Sequence, residues 1–167
     1  PDHVIPSPGA RLVQSVELAL APGASAILCD AWAAGRAARG EAWCFGLLDS
    51  GTVARDPEGL LFKDRLVLSG GRGWGGLGAA EGMAYAATVA CLAPSHDGLD
   101  ELAADLADAL AVGAPGASAG VTTLARGGVV VRILAPSAPV LQRAVETSWA
   151  TCRMGLWRLP PLVLRKM

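Results

Sequence analysis

Residues 69–93 read SGGRGWGGLGAAEGMAYAATVACLA, and whether the second half of this stretch is a helix or a strand decides the fold. Gly73, Gly75 and Gly78 satisfy G-x-G-x-x-G. RLVLS (65–69) before them has strand character, and Asp97 lies about twenty residues farther on, as a dinucleotide-binding unit requires. That pattern describes a nucleotide-binding oxidoreductase, but only if a helix follows the glycines and offers its N-terminus to the pyrophosphate. MAYAATVACLA (83–93) carries Tyr85, Thr88, Val89 and Cys91, which suit a pleated, half-buried surface better than that helix. The glycines also exceed the pattern, and hairpin-like segments precede them where a β-α unit is needed. The stretch therefore reads as a glycine-rich surface loop leading into a strand, with the oxidoreductase kept as the alternative. No G-x-x-x-x-G-K-[ST] phosphate loop occurs, and Lys63 and Lys166 are the only lysines.

Working outward, the upstream half alternates. Leu12, Val16, Leu18 and Leu20 share one side of a strand over 10–20, with Gln14 among them. APG (21–23) turns the chain into a second strand, ASAILCDAW (24–32). Residues 41–48 alternate again, DSG (49–51) is expected to turn, and TVARDPEGLLFKDRLVLS (52–69) forms a hairpin about DPEG. Downstream the period changes. Leu99, Leu102, Leu106 and Leu110 fall on one face of a helix near Asp97 to Val112, with Asp97 placed to cap it and Gly113 to stop it. A hairpin turning at 126–128 leads to a second helix, near Ser137 to Met154, started by Ser137 and Pro139. Its stripe of Leu141, Val145, Trp149 and Cys152 reads as core packing. The class is α+β: mainly β, with two α-helices.

Composition narrows the function. At 167 residues and 52% apolar content the chain forms a single domain, spanning 1–167. Fourteen basic residues against fifteen acidic ones give a net charge of −1, which provides no field for drawing in nucleic acid. No apolar run approaches the roughly 20 residues of a membrane span. Cys29, Cys44, Cys91 and Cys152 are widely spaced, so buried free thiols in a reducing, cytoplasmic setting are expected. His3 and His96 are the only histidines, and neither accompanies a nucleophile motif or an i, i+4 ligand partner. Neither a catalytic constellation nor a closed metal site is legible. The chain opens on Pro1 with no leader-like run, as if its beginning were missing.

GRAARGEAW (35–43) concentrates charge between apolar segments. Gly35 and Gly40 bracket Arg36 and Arg39 on a turn that needs unusual backbone angles. Read by itself it is an exposed hairpin tip on which Arg39 and Glu41 form a weak surface pair.

The same segment resembles the urease accessory protein family called UreD or UreH, whose members share a GR…GE turn. Further resemblances follow in the family's order: PDHVIPSPGARLVQ (1–14), LLFKDRLVL (60–68), VVVRILAPSAPVLQRAVETSWATCR (129–153) and LPPLVLRKM (159–167). The resemblance covers nearly the whole chain.

It implies a nonenzymatic, β-solenoid-like protein of stacked antiparallel and mixed sheets, to which a further amino-terminal portion belongs. It also implies partners: the helical accessory protein UreF, the GTPase UreG recruited through UreF, and apo-urease. No cofactor is held permanently; Ni²⁺ passes through an internal water-filled passage. Such a passage needs oxygen ligands that attract a divalent cation without trapping it. Glu41 matches the acid of the family's GE and is the first candidate for its lining, with Asp2 second. Gly35, Arg36 and Gly40 would set the turn that places Glu41, and Gln14 would add a polar contact. Trp149, Trp157, Pro160, Pro161, Arg165 and Lys166 would form the partner surface. A β-rich binding module unrelated to urease is the remaining alternative.

Overall fold

The computed structural model describes residues 2–71, 74, 76 and 79–161. Its elements are β1 (Arg11–Ala19), β2 (Ala26–Ala33), a 3-10 turn (Ala37–Arg39), β3 (Leu47–Asp56), β4 (Gly59–Ser69), β5 (Tyr85–Leu92), α1 (Leu99–Gly113), β6 (Ser118–Thr123), β7 (Gly128–Ala135) and α2 (Ala138–Trp157). The strands form two sheets. One has three strands in the order β1-β3-β4, with β1 parallel to β3 and β3 antiparallel to β4. The other has four in the order β2-β5-β7-β6 and is antiparallel throughout. The fold is α+β, with mixed and antiparallel sheets stacked and both helices on one face.

The 83–93 stretch is the middle of this arrangement. It forms β5, hydrogen-bonded on both edges, to β2 and to β7. On one face Val89 and Cys91 join Val131 and Ile133 against Leu102, Leu106, Leu110, Leu141, Val145 and Cys152 of the helices. Each leucine of that stripe contributes roughly 1.5–3 kcal/mol by leaving water. On the other face Ala90 and Leu92 pack with Val130 against Leu20, Ala54, Leu61 and Phe62. A strand buried on both faces reads as an almost continuous apolar run, which is why no amphipathic helix can replace it. Gly73, Gly75 and Gly78 lie outside the described residues.

Four local expectations are corrected. Residues 41–46 are not a strand: β3 begins at Leu47, and the preceding chain folds back across Gly70, where an added Cβ would stand 1.6 Å from the Phe45 carbonyl oxygen. DSG does not turn. Asp49, Ser50 and Gly51 run through the middle of β3, paired with β1 on one side and β4 on the other, and two ladders outweigh a local turn preference. Asp97 does not cap α1. Gly98 is the N-cap, and the His96 ring Nδ1 accepts its N–H at 3.1 Å. The second helix, with Ser137 at its N-cap as expected, runs to Trp157 and ends at Arg158, whose φ of +55° reverses the chain.

Candidate functional site

Where the two sheets face each other, a polar belt crosses the apolar packing. On β1, Gln14 lies between Leu12 and Leu18; on β2, Asp30 lies between Leu28 and Trp32. On β3, Ser50 lies between Leu48 and Ala54; on β4, Asp64 lies between Phe62 and Leu66. Strand register aligns these positions. Gln14 pairs with Ser50 on one sheet, and Asp30, Thr88 and Arg132 form a cross-strand row on the other. The belt therefore separates the Leu20–Val130 cluster from a second one built on Phe45, Leu48 and Leu68 with Trp32, Trp43 and Trp74.

The hydrogen bonds run from sheet to sheet. Ser50 Oγ donates to Asp30 Oδ2 at 2.6 Å, while Gln14 Nε2 donates to Asp30 Oδ1 at 3.2 Å and to Ser50 Oγ at 2.8 Å. Farther along, Arg132 grips Asp64 with both terminal nitrogens (2.7 and 2.9 Å) and donates to Thr88 Oγ1 at 2.8 Å. Ser50 is buried, whereas Arg132 is exposed at the open side of the sandwich. The two carboxylates differ in kind. Asp64 has a guanidinium partner; Asp30 forms no ion pair among the described residues and is held by neutral donors. Among the described residues no group of three or more His, Cys, Asp or Glu could enclose a metal ion. The belt offers a cation oxygen atoms in a row, not a cage.

The GRAARGEAW segment is a compact loop. Gly35 has φ of +123°, and a Cβ there would meet the Glu41 carbonyl oxygen at 2.6 Å; Gly40 takes φ of +74° after the 3-10 turn. Arg36, not Arg39, pairs with Glu41: Nε donates to Oε2 at 2.5 Å, with the two side chains 42% and 28% exposed. The loop then delivers Trp43, at φ of +63°, stacked on Trp74 and edge-on to Trp32. Asp2 is exposed at the start of the chain.

Of the predicted interaction residues that are described, Gln14 alone enters the belt. Trp149 is half-buried beneath the Arg153 guanidinium, 4.9 Å from its ring centroid. Trp157 is 41% exposed, Pro160 and Pro161 are exposed, and Arg153 Nε reaches the Pro160 carbonyl at 3.4 Å. Arg165 and Lys166 lie outside the described residues. Sequence reasoning missed Asp30 and Ser50. The available signal was an aspartate inside the otherwise apolar strand AILCDAWA.

The cysteines are free, Cys91 and Cys152 buried, Cys29 half-buried and Cys44 exposed. Burial pushes the Cys29 thiol up to about 11. A hydrogen bond with Cys152, reinforced by burial, raises Cys91 as well. Thiols held protonated in this way are poor nucleophiles and poor metal ligands. No helix among the described residues is long and apolar enough to cross a membrane.

Comparison with known proteins gives one consistent answer. Residues 1–166 match the family model described as UreD urease accessory protein. The chain is 38% identical over 167 residues to the urease accessory protein UreD of Haloarcula marismortui, covering 96% of this chain and 53% of that protein. It is 36% identical over 170 residues to UreD 2 of Streptomyces griseus (99% and 57%) and 33% identical over 156 residues to UreD of Alkalilimnicola ehrlichii (90% and 50%). The chain spans about half the length of these relatives.

Proposed function

This chain belongs to the UreD urease accessory protein family, and on that premise we propose that it acts in urease maturation as a nonenzymatic docking frame and nickel conduit. It works in the cytoplasm, binds UreF and through it UreG, docks on apo-urease, and lets Ni²⁺ pass toward the urease active site. The observation that carries this reading is the belt of two sheet-to-sheet clusters, Gln14 with Ser50 and Asp30, and Asp64 with Arg132 and Thr88, which are neighbours through the Asp30–Thr88 cross-strand pair and lie between two apolar clusters.

The chemistry supports transit over storage. A cation in low-dielectric surroundings is drawn to a carboxylate, and Asp30 supplies one whose two oxygens are already oriented by Ser50 and Gln14. With no His or Cys set beside it among the described residues, an ion held there exchanges readily. Glu41 and Asp2 serve as outer guides in the same reading. Glu41 must trade Arg36 for the metal, an exchange of at most about 1 kcal/mol for a pair this exposed. Trp149, Trp157 and the prolines after them offer the partner surface.

Reconstitution tests the reading. Apo-urease incubated with UreF, UreG, GTP and Ni²⁺ is expected to activate only when the full-length form of this protein is present. Equal activation without it overturns the reading.

A further inference from the structure

We propose that the groove beneath β6 receives an extended, acidic segment of a partner protein, which adds a fourth strand to the three-stranded sheet beside β4; this docking is independent of the urease reading. The sheets are unequal. Contacts from Asp30 to Gln14 and Ser50 lay β2 over β1 and β3, and the Arg132–Asp64 pair with the packing of Phe62 against Ala90 and Val130 brings β4 beneath β5 and β7. β6 is the next strand outward and overhangs the shorter sheet. Under it lies a groove of about 450 Å³, lined by Leu61, Phe62, Lys63, Gly120, Leu124 and Val130 among others.

Three features fit a strand there. First, β4 is an edge strand whose outer backbone is open: Arg126 Nη1 reaches the Leu60 carbonyl at 3.3 Å and Trp74 Nε1 the Ser69 carbonyl at 2.8 Å. Between them, backbone groups of residues 61–67 make no hydrogen bond outside the β3 ladder among the described residues. Such an edge is a template for another strand. Second, the register shift at Ala54/Arg55 leaves Leu61 as a bulge, so Leu61 and Phe62 both turn inward and give the groove an apolar floor. Above it Gly120 has nothing within 4 Å of where its Cβ would stand, leaving room for a guest's alternate side chains. Third, Lys63 stands at this edge and forms no ion pair among the described residues, while the neighbouring Arg65 is already held by Asp49.

Charge favours an acidic occupant over a second copy paired through the charged middle of β4. A second copy pairing antiparallel about a two-fold axis centred on Lys63, Asp64 or Arg65 sets like charges directly opposite each other, which is unfavourable. A partner strand that places a carboxylate opposite Lys63 and apolar side chains in the groove satisfies both surfaces.

The test uses a blocked seven-residue peptide of alternating valine and glutamate, and its lysine counterpart, with the full-length protein. Binding is read by fluorescence anisotropy and by amide hydrogen exchange. The glutamate peptide is expected to bind about tenfold tighter than the lysine peptide and to slow exchange at the Lys63, Asp64 and Arg65 amides. Lys63→Glu should invert that preference, and Gly120→Val should weaken binding without lowering the melting temperature. Equal binding of the two peptides, no binding, or protection confined to another edge overturns the proposal. A preexisting dimer that the peptide dissociates also overturns it, in favour of a second copy.

Discussion

The Ser50 hydroxyl of one sheet donates a 2.6 Å hydrogen bond to the Asp30 carboxylate of the other, placing a charge between two apolar clusters. Two aligned sheets need no such contact to pack; apolar side chains alone fill that space. An acid there has to be justified by its partners, and Asp30 has two neutral ones. It stays available to a cation in a way that Asp64, gripped by Arg132, does not.

Removing the carboxylate strands its donors. Asp30→Ala leaves the Ser50 hydroxyl, 5% exposed, without its acceptor and Gln14 with only Ser50 Oγ to donate to, and is expected to destabilise the protein by about 1–3 kcal/mol in urea unfolding. Asp30→Asn keeps an oxygen for Ser50 and should lose less. Equal losses for the two variants would show that shape and not hydrogen bonding holds the belt.

The two glycines of the charged loop should respond unequally. Gly35→Ala drives a methyl to within 2.6 Å of the Glu41 carbonyl oxygen at φ of +123°, whereas Gly40→Ala meets open space at φ of +74°. Gly40→Ala is expected to cost about 1–2 kcal/mol, the left-handed penalty alone. Gly35→Ala should cost more and also quench the Trp43–Trp74 contact, visible as a change in tryptophan fluorescence.

These cases also show what a sequence can and cannot disclose. The strand at 83–93 was legible because its side chains suit a pleated surface, the first helix because its leucines keep a strict period, and the second because Ser137 and Pro139 start it and Leu141, Val145, Trp149 and Cys152 share one face. Ser50 was not. It sits in DSG, three residues that favour turns in isolation, and only ladders on both sides of β3 make them a strand. Asp30 was hidden for a related reason: its partners lie 16 and 20 residues away, and strand pairing alone brings them together. The Arg36–Glu41 pair was mistaken for Arg39–Glu41 because a 3-10 turn intervenes where a hairpin tip was expected.

Acid should loosen the three-stranded sheet. Hydrogen bonds from Arg65, joined by its charge, hold Asp49 below the usual carboxylate range. At Asp56 burial opposes the charge, but Arg126 and the Glu58 and Gly59 N–H groups outweigh it, and its pKa is lowered as well. A folded value below the unfolded one gives stability that is present above the unfolded pKa, near about pH 4, and is lost as pH falls through the folded value. Urea midpoints are expected to drop across that window. Arg126→Gln should flatten the Asp56 part of the decline, and an unaltered acid limb in that variant would contradict the assignment.

The exposed end of α2 should matter to partners more than to folding. Trp157→Ala, and truncation before Pro160, are expected to shift the melting temperature little while reducing capture of UreF in pull-downs. Trp149→Ala also removes the ring beneath Arg153 and so should destabilise. Undiminished capture by the truncated protein would remove the tail from the interface.

The account turns on whether the belt carries nickel. The direct measurement is the nickel content of urease matured with the full-length protein bearing Asp30→Asn, in complexes first shown to contain their normal complement of UreF and UreG. Conduction through the belt predicts less nickel per urease active site at unchanged complex yield. A full nickel complement delivered past the uncharged side chain would contradict it.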